Sequence, residues 1–191
     1  MVNKQIKIIA GPNGSGKTTF AETFLPKQNI PFLNPDLIAS GLGPVNSEKA
    51  SFLAGRVLLT EIKDRILKGE SFAFESTLSG LTYSSILRDA KTQGYEIIIY
   101  FLFLDKVILN IERIKKRVSL GGHHIPTATV RRRYLRCFNN FWNIYRDFAN
   151  DWFILDNSKT KPKLILNFKS YSQFSESQKN YFLKKFNAGK L

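Results

Sequence analysis

Short apolar runs alternate along the chain with longer stretches in which apolar residues recur every three or four positions. The runs predict strands: about 5–10, a short one ending near Leu33, Phe72 to Phe74, Glu96 to Leu104, Trp152 to Leu155, and Leu164 to Phe168 as a sixth. Glu96 to Leu104 is almost wholly β-branched or aromatic, as a strand buried on both faces requires. The periodic stretches predict helices. One opens at Lys17, and another runs from a cap at Ser47 to about Lys68, where Gly69 stops it. The apolar stripe of that second helix includes Ala50, Leu53, Ala54, Val57, Leu58, Ile62 and Ile66. Further helices are predicted from about Tyr83 to Gly94, over 106–119, from Thr127 to about Ala149, and over 175–187. Tyr134, Phe138, Phe141, Trp142, Tyr145 and Phe148 follow helical spacing and read as a core stripe. Strand–helix alternation of this kind predicts an α/β fold around a largely parallel sheet.

A chain of 191 residues, 43% of them apolar, suits one domain spanning 1–191. Its longest apolar stretch, Ile97 to Leu104, falls well short of the ~18 residues that would span a membrane. Gly11 and Pro12 interrupt any signal-peptide core at the N-terminus. Cys137 is the single cysteine, so no intramolecular disulfide forms, and a packed thiol in a reducing compartment is expected. A cytoplasmic protein with no membrane contact is the expectation. The formal charge of +14 is concentrated: residues 106–146 hold ten Lys/Arg against Glu112, and 159–191 form a basic extension with eight Lys against Glu176. That asymmetry suits an anionic small substrate, an acidic protein partner or nucleic acid; a solvated lysine surface is the plain alternative for the C-terminal segment.

Residues 11–18 read G-P-N-G-S-G-K-T, a full G-x-x-x-x-G-K-[ST] match after a strand and at a helix start. Such glycines let successive backbone N–H groups converge on phosphate oxygens, and the helix N-terminus adds positive potential. Lys17 is expected at the β/γ-phosphates and the Thr18 hydroxyl on Mg²⁺, with Gly11, Asn13, Gly14, Ser15, Gly16 and Thr19 completing the nucleotide cradle. ATP and Mg²⁺ are the expected cofactors.

G-P-N-G-S-G-K-T-T, N-P-D-L-I-A, F-E-S-T-L-S-G, and R-V-S-L-G-G-H-H-I-P with R-R-R-Y-L-R occur in this order over roughly residues 5 to 158. In these motifs the chain resembles the zeta-toxin family, closest to its short stand-alone branch, often labelled predicted ATPases. The resemblance implies a P-loop kinase fold with strand order 2-3-1-4-5, helices on both faces and an arginine-rich lid at about 113–136. It also implies transfer of the ATP γ-phosphate, in the best-studied members to the 3′-hydroxyl of UDP-N-acetylglucosamine, and silencing by an antitoxin. The G-G-H-H-I-P stretch departs from the lid usual in those toxins.

Asp36 lies just past the second strand, where residues of a parallel sheet face the ligand crevice. It is a candidate base for the acceptor hydroxyl, matching the family's aspartate; capping of a short helix is its structural alternative. Glu75 and Thr77 follow the third strand on the crevice side. Glu75 is a candidate to order Mg²⁺ through water or to bind substrate hydroxyls, with a structural strand-end carboxylate as the alternative. The match to the family's E-x-T implies a substrate role for both. Arg113 and Arg117, four apart on one helix face, are expected at adenine and phosphate respectively, as in adenylate-kinase-like enzymes. Arg131, Arg132 and Arg133 fan over about 200° of helix surface, so they do not all face one site. Arg132 and Arg133, with Arg136 on the same side, are expected to neutralise phosphate or bind substrate. His123 is a candidate substrate contact; with His124 alone it makes no metal site. Asp105 reads either as a Walker-B mimic or as the cap of the next helix, and Asn157 fits the family's adenine-side loop.

These features together predict an ATP-dependent kinase acting on a hydroxyl of a small anionic acceptor, a UDP-N-acetyl sugar being one, with Lys17, Asp36, Arg117 and Arg132 catalytic. The alternatives are a nucleic-acid kinase or nucleic-acid-binding ATPase, and a protein-binding module with a structural nucleotide site.

Overall fold

The computed structural model describes residues 4–42 and 48–187. β1 (Gln5–Ala10) leads through the glycine-rich loop into α1 (Lys17–Phe24), and β2 (Phe32–Leu33) leads into α2 (Pro35–Leu42). After α3 (Glu48–Lys68) come β3 (Phe72–Ser76), α4 (Thr82–Thr92) and β4 (Glu96–Phe103). Next are α5 (Val107–Ser119), α6 (Thr127–Asn143), β5 (Asp151–Asp156), β6 (Lys163–Asn167), α7 (Phe168–Ser172) and α8 (Glu176–Asn187).

The six strands form one sheet in the order β2-β3-β1-β4-β5-β6. The first five are mutually parallel in the expected 2-3-1-4-5 order, and β6 adds antiparallel to β5. Parallel pairing needs a crossover of a dozen or more residues, which the intervening helices supply. β1 and β4 lie at the centre, and Ile6, Ile8, Ile9, Ile97, Ile99 and Phe101 are fully buried there. Burial of a side chain of this size stabilises the fold by about 1.5–3 kcal/mol.

The α6 stripe is core, as its spacing predicts: Tyr134, Phe138, Phe141, Trp142 and Tyr145 are buried around Phe101 and Trp152. α6 itself ends at Asn143, and a 3-10 turn over Tyr145–Phe148 completes the segment expected to be helical throughout. In α3, Ala54, Leu58, Ile62 and Ile66 face the sheet, whereas Leu53 and Val57 are exposed. One residue turns a helix by about 100°, so the sheet-facing row is narrower than the apolar pattern implies. The expected Ser47 cap and the side chain of Ala50 lie outside the described residues.

β3 extends two residues beyond the predicted Phe72–Phe74, because Glu75 and Ser76 pair with Ile9 and Ala10 of β1. Glu75 is therefore a strand residue beside the end of β1, and only Thr77 follows the strand. Cys137 is buried, and desolvation pushes its thiol up to about 12, so it behaves as a packing residue.

Candidate active site

The glycine-rich loop leaves β1 at the centre of the sheet, so its conformation is constrained by neighbours. A Cβ on Gly11 would lie 1.9 Å from the Leu102 carbonyl oxygen of β4, and Gly11 has φ +138°. Only glycine fits both the contact and the dihedral. Gly16, at φ +88°, turns the chain into α1.

Lys17 follows, 5% exposed, with its Nζ donating to Pro12 O at 3.0 Å and 3.6 Å from Glu75 Oε1. A buried ammonium needs this kind of pairing, because desolvating an unpaired charge costs several kcal/mol. The other oxygen of Glu75 accepts from Thr18 Oγ1 at 2.7 Å. Lys17, Thr18 and Glu75 thus form one polar cluster between the loop and the end of β3. The hydroxyl and carboxylate oxygens are hard donors side by side, the kind of set Mg²⁺ takes alongside substrate phosphates. Among the described residues no group of three or more His, Cys, Asp or Glu is placed to hold a metal ion, so any cation would depend on that small set plus its ligand.

A cleft of about 940 Å³ opens over this cluster. Of the expected site residues, Asn13, Gly14, Gly16, Lys17, Thr18, Thr19, Asp36, Glu75, Thr77, Arg113, Arg117, His123, Arg132 and Arg133 line it. Gly11, Ser15, Asn157 and Arg136 do not. Gly11 and Ser15 are buried behind the loop, and Asn157 braces the loop from its far side. Arg136 shares a helix side with Arg132, but one turn of about 6 Å carries it beyond the cleft, where it is exposed. Arg131 is exposed and likewise does not line the cleft.

Asp36 is exposed within the first turn of α2 and does not cap it. Asn34 does: its Oδ1 accepts from the N–H groups of Asp36 at 2.8 Å and Leu37 at 3.4 Å. That leaves the Asp36 carboxylate free of capping and on the cleft wall. Asp105 does not cap α5 either. Lys106 occupies the cap position with no side-chain cap bond, and Asp105 Oδ1 is buried without a hydrogen-bond partner.

The segment joining α5 to α6 forms the opposite wall. Arg117 donates from Nη2 to His123 O at 2.7 Å, which fixes the G-G-H-H turn against the helix. Arg113 donates to Asn157 O at 2.8 Å, and Arg133 reaches Asn13 Oδ1 at 3.5 Å. Arg113, Arg117, Arg132 and Arg133 all line the cleft, Arg133 in contact with the glycine-rich loop itself.

Gly80, Thr82 and Tyr83 of the remaining wall were not singled out by the sequence. Ser76, Ser79, Gly80, Thr82 and Tyr83 line the same cleft as Asp36. Leu78 there adopts φ +52°. The loop is held from behind by Asn140 Nδ2, donating to Leu78 O at 2.9 Å, and by Tyr145 Oη, donating to Gly80 O at 2.6 Å. Burial raises the Tyr83 phenol, partly offset by its hydrogen bond to Ser76. The hydroxyl-rich string S-T-L-S-G-L-T-Y was the sequence signal for this wall.

No protein-family model matches the chain. It is 34% identical over 134 residues to an uncharacterised protein of Haemophilus influenzae, covering 70% of this chain and 94% of that one. Among solved structures it is similar to the PezAT chromosomal toxin–antitoxin system of Streptococcus pneumoniae, at TM-score 0.61 and 14% identity, covering 96% of this chain and 85% of that one. It is also similar to the AvrRxo1-ORF1:AvrRxo1-ORF2 complex with ATP, at TM-score 0.69 and 16% identity, covering 99% of this chain and 64% of that one. At such identities these structures establish the fold.

Proposed function

The chain belongs to one family with the Haemophilus influenzae protein and has a zeta-toxin-like P-loop kinase fold; on that premise we propose that it is an ATP-dependent phosphotransferase acting on a hydroxyl of a small anionic acceptor. One observation carries the reading. Lys17 and Thr18, the acidic groups Asp36 and Glu75, and Arg113, Arg117, Arg132 and Arg133 all line a single cleft. A cleft of about 940 Å³ leaves room for an acceptor beside a nucleotide.

The roles follow from position. The loop amides and Lys17 hold the nucleotide phosphates, and Thr18 with Glu75 would hold Mg²⁺, which supplies charge neutralisation at the phosphates when bound. Asp36 takes the proton of the attacking hydroxyl as the O–P bond forms and ADP leaves. Arg117 and Arg132 face the equatorial oxygens, where charge is spread in a loose transition state. Thr77, His123 and Arg133 contact the acceptor, Arg113 sits at the nucleotide side, and Asn157, outside the cleft, acts on the nucleotide through the loop it braces. A UDP-N-acetyl sugar fits this scheme, its diphosphate toward the arginines and its sugar toward the hydroxyl-rich wall.

The PezAT and AvrRxo1 structures are both two-component assemblies, which supports an acidic antitoxin-like partner for this basic chain. A nucleic-acid kinase is the second reading, favoured by the exposed Arg131, Arg132 and Arg136 along one end of α6. Incubation with γ-labelled ATP and fractionated metabolites separates the readings: label is expected in a small anionic product. Label in oligonucleotide ends favours the second reading, and release of inorganic phosphate alone overturns both.

A further inference from the structure

Two asparagines hold the phosphate loop by its carbonyl groups. Asn110, fully buried on α5, donates from Nδ2 to Asn13 O at 2.7 Å. Asn157, in the turn after β5, donates from Nδ2 to Ser15 O at 2.8 Å. Across a planar trans peptide the C=O and the next N–H point in opposite directions. Fixing the carbonyls of residues 13 and 15 away from the cleft therefore fixes the N–H groups of Gly14 and Gly16 toward it, and both glycines line the cleft. We infer that Asn110 and Asn157 are positioning residues that aim the Gly14 and Gly16 amides at the β-phosphate of the bound nucleotide.

Steric contacts at the two glycines support this pairing. A Cβ on Gly14 would lie 2.8 Å from Asn110 O, and one on Gly16 would lie 2.4 Å from Asn157 Nδ2. The residues that take the carbonyls also occupy the space beside the glycines that follow, so loop and braces are fitted to each other. Arg113, three residues after Asn110 on the same helix, donates to Asn157 O at 2.8 Å and joins the two braces into one support.

Energetics argue against a packing role for Asn110. Its Oδ1 is buried without a hydrogen-bond partner, at a position flanked by the buried Ile111 and Ile114. An apolar side chain there would avoid the cost of desolvating that oxygen. What an apolar residue would not supply is the donor to Asn13 O.

This inference rests on the nucleotide reading above, and its test uses binding, without any acceptor. ADP and AMP affinities are measured calorimetrically for the full chain and for Asn110→Ala and Asn157→Ala. Each anchor removed is expected to raise the ADP dissociation constant about tenfold, as loss of one well-placed hydrogen bond does. AMP, which lacks the β-phosphate, should shift less than about twofold. If Asn110→Ala does not fold, Asn157→Ala, which removes a part-exposed side chain, carries the same comparison. Equal weakening of ADP and AMP, or unchanged ADP binding, overturns the inference. Failure of the unmodified chain to bind ADP overturns it together with the kinase reading; ADP binding without transfer to any acceptor overturns the kinase reading alone.

Discussion

The Thr18 hydroxyl donates to Glu75 at 2.7 Å, joining the first turn of α1 to the end of β3. The same carboxylate lies 3.6 Å from Lys17 Nζ, so one acid balances the loop cation and accepts from the adjacent hydroxyl. Its position is dictated by the sheet: Glu75 pairs with Ile9 in the register of β1 and β3, directly beneath the loop.

Glu75→Gln should keep the Thr18 contact, since an amide oxygen also accepts, while removing the charge. The Mg²⁺ concentration needed for half-maximal transfer is then expected to rise about 10–100-fold. ADP binding in the presence of a chelator should strengthen, because a negative charge has left the phosphate site. Parallel Mg²⁺ and ADP titrations check both signs; an unchanged Mg²⁺ requirement removes Glu75 from the cation site.

Asp36→Asn addresses the base. Asp36 is exposed and Asn34 supplies the helix cap, so the melting temperature should fall only slightly, by the loss of one first-turn charge worth about 0.3–1 kcal/mol. Loss of a general base is expected to lower kcat about 10²–10⁴-fold, with ADP affinity kept. A variant with full kcat would assign the proton transfer elsewhere.

Different physical signals made different parts legible from sequence. The strand–loop–helix at residues 5–24 was readable because apolar pattern, glycine spacing and helix start all agree there. The direction of β6 was not, since alternation and propensity are the same for parallel and antiparallel strands. Asn34 and Asp36 are both good capping residues two positions apart, and only the backbone trace selects Asn34. Asn110 was invisible for another reason. A single asparagine inside an amphipathic helix reads as a surface residue, and only contact with a loop 97 residues away gives it a task.

Gly122 is expected to set the place of Arg117. A Cβ at 122 would lie 2.6 Å from Arg117 Cγ and 2.9 Å from its carbonyl oxygen. Gly122→Ala should therefore displace the guanidinium and lower kcat/KM for ATP by about tenfold or more, the worth of one charge-assisted contact. Steady-state kinetics check this beside Gly121→Ala. At Gly121 a Cβ meets nothing within 4 Å, but φ is +85°, so that change should act through backbone strain on stability. Equal kinetic losses in the two variants would argue against a specific Arg117 clash.

Alkaline pH should destabilise the fold through groups held protonated by burial. Desolvation pushes Cys137 from 9.0 to about 12, and Tyr100 and Tyr145 from 10.0 to about 12. Between the ordinary and the shifted values the unfolded chain has released these protons while the native state keeps them. Stability is then proton-linked with the unfolded state binding fewer protons, so it falls as pH rises. The contribution is fully present below about pH 9 and is lost progressively toward about pH 12, on the cited shifts. Denaturant midpoints measured from pH 8 to 11 should decline steadily. Thiol labelling at pH 8 should track unfolding instead of native exposure, because Cys137 is fully buried. Cys137→Ala should flatten the first part of the decline, and a curve that instead rises with pH would contradict the desolvation of these groups.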